Sequence, residues 1–277
     1  MECFDPKCTK YPYTEYTDQH YLKVKKNWGI VFDKDYPYID KSKSFEFKRK
    51  LIRLVLYLIV FPVSYFKLGL KIKGRRNIRR YKDVLKGGVV SIANHIHLWD
   101  YIAVMNAVKP FRPNVIIWAP NINGENGKLM RMVGGIPIPE NDPRATVAFS
   151  NTIDEYLSNG GWLHIYPEGS MWEYYAPIRP FKLGAASIAV KNNKPIMPFG
   201  FSYRKPGFIR SHLFHMAAKI TITVGEPIFR DESLPKNEQI KDLTLRAHKA
   251  VCELSGINYR KNIYEPIFNN SKKINYY

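Results

Sequence analysis

The chain has 277 residues, 45% of them hydrophobic, with 19 prolines and 17 glycines. This length and composition suit one large or two small globular domains and exclude a disordered chain. The net charge of +19 predicts an anionic partner such as nucleic acid, an anionic bilayer or an acidic carrier protein. Because zinc-type cysteine spacing, RNA-binding aromatic motifs and helix-turn-helix punctuation are all absent, we expect no nucleic acid partner.

Residues 1–45 are rich in tyrosine, lysine and aspartate and show no sustained helical period. Prolines at positions 6, 12 and 37 indicate an extension that is laid over the body or partly disordered. No apolar core of a signal peptide is present in the first thirty residues. The three cysteines, an odd number, favour a reduced, cytoplasmic setting.

Residues 46–73 differ sharply, because residues 54–66 carry no charge and basic residues flank them on both sides. A membrane-spanning helix needs about 20 apolar residues, whereas this run is shorter and contains Pro62. Positive charge on both flanks also fits poorly with crossing. The pattern therefore predicts a helix or a broken helical hairpin that dips into one leaflet and contacts anionic head groups. A buried core helix and a spanning helix are the alternatives. We expect a peripheral or monotopic protein on the cytoplasmic face of the cell membrane.

After Gly74 the pattern alternates between short apolar runs and longer helical segments. Buried strands are predicted at 88–93, 114–118, 162–166, 195–202 and 219–224, and helices near 100–108, 125–133, 144–158, 181–192 and 236–255. This alternation predicts an α/β domain over residues 74–257, with a mainly parallel sheet covered by helices. Residues 258–277 form a polar C-terminal tail.

Two motifs that each contain an acidic residue follow predicted strands. His95 comes just after the strand at 88–93, and Asp100 lies five positions further on. Five residues of helix turn through about 140°, so the pair cannot share a helical face. His95 must lie in the loop and Asp100 in the first helical turn, where the carboxylate can orient the imidazole and raise its basicity. Glu168 and Gly169 follow the strand at 162–166, where glycine permits a tight turn.

An ordered series of motifs resembles the glycerolipid acyltransferase superfamily, which includes glycerol-3-phosphate and lysophosphatidate acyltransferases. The motifs are Gly74-Arg75-Arg76-Asn77, Asn94-His95 with Asp100, Gly135-Ile136-Pro137-Ile138, Pro167-Glu168-Gly169-Ser170, Phe181-Lys182-Leu183-Gly184-Ala185, Pro195-Ile196-Met197-Pro198 and Gly225-Glu226-Pro227-Ile228. They cover roughly residues 70–230.

The resemblance implies a membrane enzyme of phospholipid biosynthesis that moves a fatty acyl group from acyl-CoA or acyl-acyl carrier protein to a lysophosphatidate-like acceptor. His95 is then the general base and Asp100 orients it. The implied substrate-binding residues are Asn94, Gly135, Ile136, Glu168, Gly169 and Ser170. Direct transfer is expected, because no Gly-x-Ser-x-Gly nucleophile motif is present. The resemblance implies neither a metal nor a bound organic cofactor.

Two positions depart from the family pattern, in which arginines are thought to hold the acceptor's phosphate. Glu140 and Met171 stand where the family usually has them. Either Arg144, Arg179 and Lys182 take over that role, or the acceptor carries no phosphate, as a glycolipid or polyol would. The aromatic residues around Trp172 would then offer a platform for a sugar or a lipid head group. A non-catalytic anionic-lipid-binding protein and a thioester or ester hydrolase are the remaining alternatives.

Overall fold

The computed structural model describes residues 4–6, 24–213 and 215–264 of the chain. Within these residues, seven strands form one sheet: β1 (Lys71–Lys73), β2 (Val89–Ala93), β3 (Pro113–Trp118), β4 (Gly135–Ile138), β5 (Trp162–Ile165), β6 (Ile196–Arg204) and β7 (Lys219–Val224). The strand order is β1-β7-β6-β2-β5-β3-β4. Every neighbouring pair is parallel except β6 and β7, which are antiparallel. The predicted mixed α/β fold with a mainly parallel sheet is confirmed.

The longer helices lie where the sequence predicts them. The helices of the described residues are α1 (Lys43–Val55), α2 (Phe61–Lys67), α3 (Arg76–Arg80), α4 (Lys82–Lys86), α5 (Asp100–Ala107), α6 (Ala119–Asn123), α7 (Gly127–Met132), α8 (Pro143–Ser158), α9 (Gly184–Lys191), α10 (Phe208–His212) and α11 (Lys236–Ser255). Of these, α3, α4, α6 and α10 have five residues each and were not predicted. Segments this short lack a full apolar period, which is the signal that predicts a helix.

The two faces of the sheet carry separate apolar clusters. Along β2, Val90 and Ile92 pack with residues of α8, α9 and α11, while Val89 and Ala93 pack with residues of α3, α4 and α5. Side chains of a strand alternate between its two faces, so a strand that is apolar throughout must be covered on both. The sheet is therefore enclosed between helical layers, and only its strand ends are open for chemistry.

The apolar segment forms one continuous helix, so the hairpin alternative does not apply. Residues Leu56–Val60 connect α1 to α2 as a π-helical segment, and the residues on either side of it are helical. Pro62 has no N–H with which to continue the helical hydrogen bonds. The N–H of the preceding residue, Phe61, donates to the carbonyl of Leu56, five residues back, which is the π-helical spacing. Leu56 and Phe61 pack against Met105 of α5.

The opposite side of this helix exposes large apolar side chains. They are Phe47, Leu51, Leu54, Val55, Tyr57, Leu58, Ile59, Val63, Tyr65 and Phe66. We call these residues the apolar helix face. The buried-core alternative is therefore wrong for this side. Among the residues that the structure describes, no helix has the length and hydrophobicity needed to cross a bilayer. Strand β1 lies within residues 46–73 but pairs with β7.

Both chain extensions pack on the domain where they are described. In residues 24–42, Trp28 donates from Nε1 to the carbonyl of Gly124 (3.1 Å), and the buried ring of Tyr38 meets Phe149 edge-on. At the other end, the hydroxyl of Tyr264 is buried and accepts a hydrogen bond from the Phe181 N–H (2.8 Å). Residues 1–3, 7–23, 214 and 265–277 lie outside the described residues, and the domain boundaries remain predictions.

Candidate active site

The loops after β2 and β5 leave the same edge of the sheet. The two strands are parallel neighbours, and Ile92 pairs with Ile165 near the end of each. The residues that follow, from Asn94 in one loop and from Tyr166 in the other, therefore meet at the C-terminal edge. This is the edge at which parallel α/β folds place their ligands.

His95 and Asp100 form a hydrogen-bonded pair at this edge. Nδ1 of His95 lies 2.6 Å from Oδ2 of Asp100, the first residue of α5. The same carboxylate accepts from the Ile96 N–H (3.2 Å) and from the Tyr166 hydroxyl (2.8 Å). A carboxylate facing Nδ1 fixes the tautomer in which Nδ1 carries the proton and Nε2 is the free base. No hydrogen bond within the described residues engages Nε2.

The surroundings of Asp100 keep this carboxylate ionised. Burial on its own would raise the pKa of Asp100, whose side chain is 2% exposed. The His95 imidazole and the hydrogen bonds from His95 and Tyr166 outweigh burial and hold the pKa of Asp100 below its usual value. The ring of Tyr166 also stacks on His95 at 3.9 Å between ring centroids, which restricts the tilt of the imidazole.

Glu168 joins the two loops through a buried ion pair. Its Oε1 accepts from the His95 N–H (2.9 Å), and its Oε2 accepts from the backbone N–H (3.2 Å) and Nε (2.9 Å) of Arg179. Arg179 also donates to the hydroxyl (2.9 Å) and the carbonyl of Ser170 and lies over the Trp172 ring. Glu168 and Arg179 are 3% and 5% exposed, so this network fixes the backbone that carries His95.

Gly169 makes the turn after Glu168 possible. Its φ of +83° lies in the left-handed region, and a Cβ there would come within 2.9 Å of the Lys182 side chain. The Lys182 N–H also donates to the carbonyl of Pro167 (2.8 Å), so this lysine packs along the turn. The backbone conformation therefore favours glycine at this position, whereas the end of the flexible Lys182 side chain could move away from a Cβ.

Asn94 ties the His95 loop to β6. Its buried amide accepts from the Phe201 N–H (2.8 Å) and donates to the Phe201 carbonyl (3.1 Å). Both ends of the amide are therefore engaged with one backbone unit. The structure gives Asn94 a positioning role for the loop.

The remaining predicted residues lie away from the His95 loop. Gly135 and Ile136 begin β4, where both are buried within the sheet and Gly135 is level with Val115. Arg144 is exposed in the first turn of α8, with its N–H bound to the Asp142 side chain. Glu140, which follows β4, accepts from Nε1 of Trp118 (2.7 Å).

Met171 and Trp172 do not form an open platform. Met171 is 7% exposed and Trp172 is 3% exposed. The Trp172 ring has the guanidinium of Arg179 on it at 4.2 Å and the ring of Tyr175 edge-on at 5.0 Å. Both side chains therefore belong to the interior that supports the Glu168 loop.

Sequence reasoning missed two residues of this site, Tyr166 and His164. His164 lies in β5, two residues before Tyr166, and the two ring centroids are 4.5 Å apart. Its Nδ1 lies 2.8 Å from the Ser91 hydroxyl. Burial lowers the pKa of His164 to about 3, so the imidazole stays neutral. A histidine in an apolar strand gives no sequence signal, whereas the Tyr166 ring adjoins the Pro-Glu-Gly motif and could have been considered. Within the described residues, no group of three histidine, cysteine or carboxylate side chains could hold a metal ion.

Comparison with known families agrees with this geometry. Residues 69–202, which contain His95, Asp100, Glu168 and Arg179, match the protein-family model described as Acyltransferase. The match identifies residues 69–202 as an acyltransferase domain, and the motifs that resemble the glycerolipid acyltransferase superfamily lie in and around it. The protein that carries this domain is therefore an acyltransferase.

A solved structure shares the fold. The 1-acyl-sn-glycerophosphate (LPA) acyltransferase PlsC from Thermotoga maritima aligns with a TM-score of 0.50 and 18% sequence identity. The alignment covers 78% of this chain and 85% of that one. A search of curated proteins found no match. At this identity the likeness shows a common fold, and the substrates of this acyltransferase must be argued from its own residues.

Proposed function

We propose that this acyltransferase moves a fatty acyl group from an acyl thioester to the hydroxyl of a lysophosphatidate-like glycerolipid, at a membrane surface. The donor is acyl-CoA or acyl-acyl carrier protein. The observation that carries the proposal is the 2.6 Å contact between His95 Nδ1 and Asp100, at the open edge of the sheet. A histidine with one nitrogen held by a carboxylate is a general base, which simple lipid binding does not need.

The proposed reaction begins at Nε2 of His95, which takes the proton of the acceptor hydroxyl. The acceptor oxygen attacks the thioester carbonyl carbon, and a tetrahedral intermediate forms. When the carbon–sulfur bond breaks, Nε2 returns the proton to the sulfur, and the products are an ester and a free thiol. Asp100 stabilises the imidazolium that exists between these two proton transfers.

Direct transfer is favoured because the nearby hydroxyl is already engaged. Ser170 is 2% exposed, and its Oγ accepts a hydrogen bond from Arg179. The buried thiol of Cys252 packs in the core, and burial raises its pKa to about 12, so it is not an activated nucleophile. Incubation with acyl donor alone, followed by intact-protein mass spectrometry, should show no added acyl mass. A stoichiometric acyl adduct that an acceptor discharges would contradict direct transfer.

The apolar helix face supports membrane association. All of its members except Phe47 lie between Lys48 and Lys67, and both of these lysines are exposed. Phe208, Ile209 and Leu213, on or next to α10, are also exposed, and Arg210 of α10 donates to the Phe66 carbonyl (3.2 Å). An apolar face with cationic flanks suits the interface of an anionic bilayer. We propose that this surface rests on the cytoplasmic face of the cell membrane.

An acyl-transfer assay on the purified protein in mixed micelles tests the function. Acyl-CoA and acyl-acyl carrier protein are offered in turn with lysophosphatidate, glycerol 3-phosphate, a lysophospholipid and a monoacylated glycolipid. We expect product with lysophosphatidate and none with the His95→Ala variant. Product only with a phosphate-free acceptor would contradict the proposed acceptor, and free fatty acid without ester product would indicate a hydrolase.

A further inference from the structure

A cavity of about 310 Å³ lies beside the His95 loop and is not used by the proposed proton transfers. It is bounded by the end of α2, by the loop that follows β2 and by the segment between β6 and β7. Its polar lining consists of Lys67, His97, Arg210 and His215, and the rest of its wall includes Leu68 and Tyr174. None of the described residues that line it carries a carboxylate. The cavity is therefore small, partly apolar and cationic.

The two permanent cations are positioned without acidic partners. Nζ of Lys67 lies 4.2 Å from the centre of the Trp99 ring. The guanidinium of Arg210 lies 5.5 Å from the Phe66 ring, and its Nη1 donates to the Phe66 carbonyl. Among the described residues, neither cation forms an ion pair. A guanidinium has five N–H donors, so Arg210 keeps donors for an anion.

The wall of the cavity is continuous with the His95 loop. The N–H of Tyr174 donates to the carbonyl of Ile96 (3.0 Å), the residue that follows His95. Nδ1 of His97 accepts from the Trp99 N–H (3.0 Å), which leaves the proton of a neutral imidazole on Nε2. This nitrogen lies 3.6 Å from Oε1 of Glu173, a residue that does not itself line the cavity, so His97 faces that carboxylate and the two permanent cations are the groups left for an anion. An anion in the cavity would lie next to the loop that carries the general base.

Two of the other candidate cations are less well placed to bind an anion. The guanidinium of Arg179 is buried against Glu168 and Ser170, and Arg144 is exposed on α8. We propose that the cavity beside His97 binds the phosphate ester of a substrate, held by Lys67 and Arg210. Ammonium and guanidinium groups bind phosphate through charge-assisted hydrogen bonds, and the apolar wall suits the carbon atoms attached to it. This proposal rests on the proposed function.

The phosphate could belong to the acyl acceptor or to the CoA part of the donor, and kinetic measurements distinguish the two. Lys67→Gln and Arg210→Gln variants are compared with Lys205→Gln, which removes the same charge from the β6–β7 segment but does not line the cavity. KM is measured for lysophosphatidate and for a monoacylglycerol, and for acyl-CoA and the phosphate-free acyl-pantetheine. We expect a rise of about tenfold or more in KM for the phosphate-bearing acceptor or for acyl-CoA, as loss of one charge-assisted hydrogen bond produces. The phosphate-free substrates and Lys205→Gln should change little.

Binding measured without turnover separates this proposal from the proposed function. In the His95→Ala background, calorimetry with short-chain lysophosphatidate or CoA should show binding that either Lys67→Gln or Arg210→Gln weakens by about tenfold. Loss of binding in these variants supports the cavity even when no acyl transfer is found. Unchanged KM values for both phosphate-bearing substrates, with normal transfer by the wild type, would overturn the phosphate site and leave the proposed function standing. Arg210→Gln also removes the hydrogen bond from Arg210 to the Phe66 carbonyl. Lys67→Gln leaves that hydrogen bond in place, so it tests the phosphate site independently.

Discussion

The Glu168 network and the apolar helix face depart from the usual distribution of side chains in opposite directions. In the first, Glu168 and Arg179 are almost fully buried, as is the neighbouring Asp100, and each of the three has hydrogen-bond partners. In the second, Leu54 and Leu58 are 54% and 67% exposed. Buried charge is tolerated when it is paired, whereas a large exposed apolar surface marks a site of association.

This difference fits the tasks proposed for the two regions. The buried network holds the backbone of His95 in one position, through the contact from its N–H to Glu168. The apolar helix face is the surface proposed to contact lipid, and the other side of the same helix is anchored to α5 by Leu56 and Phe61. Chemistry needs fixed polar groups, and membrane binding needs an apolar surface without partners in the free protein.

Removing one partner of the buried ion pair should have the largest effect on stability. We expect Arg179→Ala to lower the free energy of unfolding by about 3–5 kcal/mol, because the Glu168 carboxylate would remain buried without its countercharge. Urea denaturation checks this value. Lys41→Ala is the matched control, since Lys41 and Glu155 form an exposed ion pair with side chains 64% and 56% exposed. Such a pair contributes at most about 1 kcal/mol. Equal losses in the two variants would contradict the structural role given to Arg179.

Polar substitutions on the apolar helix face should weaken membrane binding without unfolding the protein. A Leu54→Ser and Leu58→Ser double variant should lose about 3 kcal/mol of binding, roughly a hundredfold in affinity, at about 1.5 kcal/mol for each leucine that enters lipid. Cosedimentation with anionic vesicles measures the loss. Val147→Ser is the control, because Val147 is 59% exposed on α8, which covers the other face of the sheet. Unchanged binding of the double variant would rule out this face as the membrane contact.

Acid should destabilise the interior, because two buried histidines resist protonation. Burial lowers the pKa of His164 to about 3 and that of His248 to about 4, whereas an unfolded histidine titrates near 6.5. Stability is therefore complete above the unfolded value and falls as the pH drops towards the folded values. Each histidine should contribute about 2 kcal/mol of loss between pH 7 and pH 5. In a His248→Phe variant, the urea midpoint should fall less between pH 7 and pH 5 than it does in the wild type. The same pH sensitivity in variant and wild type would contradict a neutral His248.

The sequence predicts the parts of the fold that carry a strong period. The five longer apolar runs are strands, and α8 and α11 lie where their apolar spacing indicates. Strand β1 has three residues, and Lys71 and Lys73 are both exposed. It carries no apolar pattern that would predict a strand, so its pairing with β7 is not visible in the sequence. Pro62 marks an interruption in the apolar segment, but the sequence does not indicate the five-residue hydrogen bond from Phe61 to Leu56 that makes the preceding segment π-helical.

The candidate site divides in the same way. The spacing of His95 and Asp100 with a preceding strand predicts that both lie at the strand mouth, and motif order places Glu168 beside them. The partners of Arg179 are set by tertiary contacts across nine or more residues, so a residue expected to bind phosphate lies in a buried ion pair instead. The cationic cavity was not predicted, because Lys67 and Arg210 are far apart in the chain.

The most direct test of the account is kcat for acyl transfer by His95→Ala in mixed micelles, with saturating donor and acceptor. The urea midpoint of the variant is measured beside that of the wild type, so that unfolding is separated from loss of the base. We predict a decrease in kcat of about 10²–10⁴, which is the usual contribution of a positioned general base. The midpoint should fall, because the buried Asp100 carboxylate loses its His95 partner, and kcat is therefore compared under conditions in which both proteins are folded. A decrease of less than about tenfold would contradict the assignment of His95 as the base of the transfer reaction.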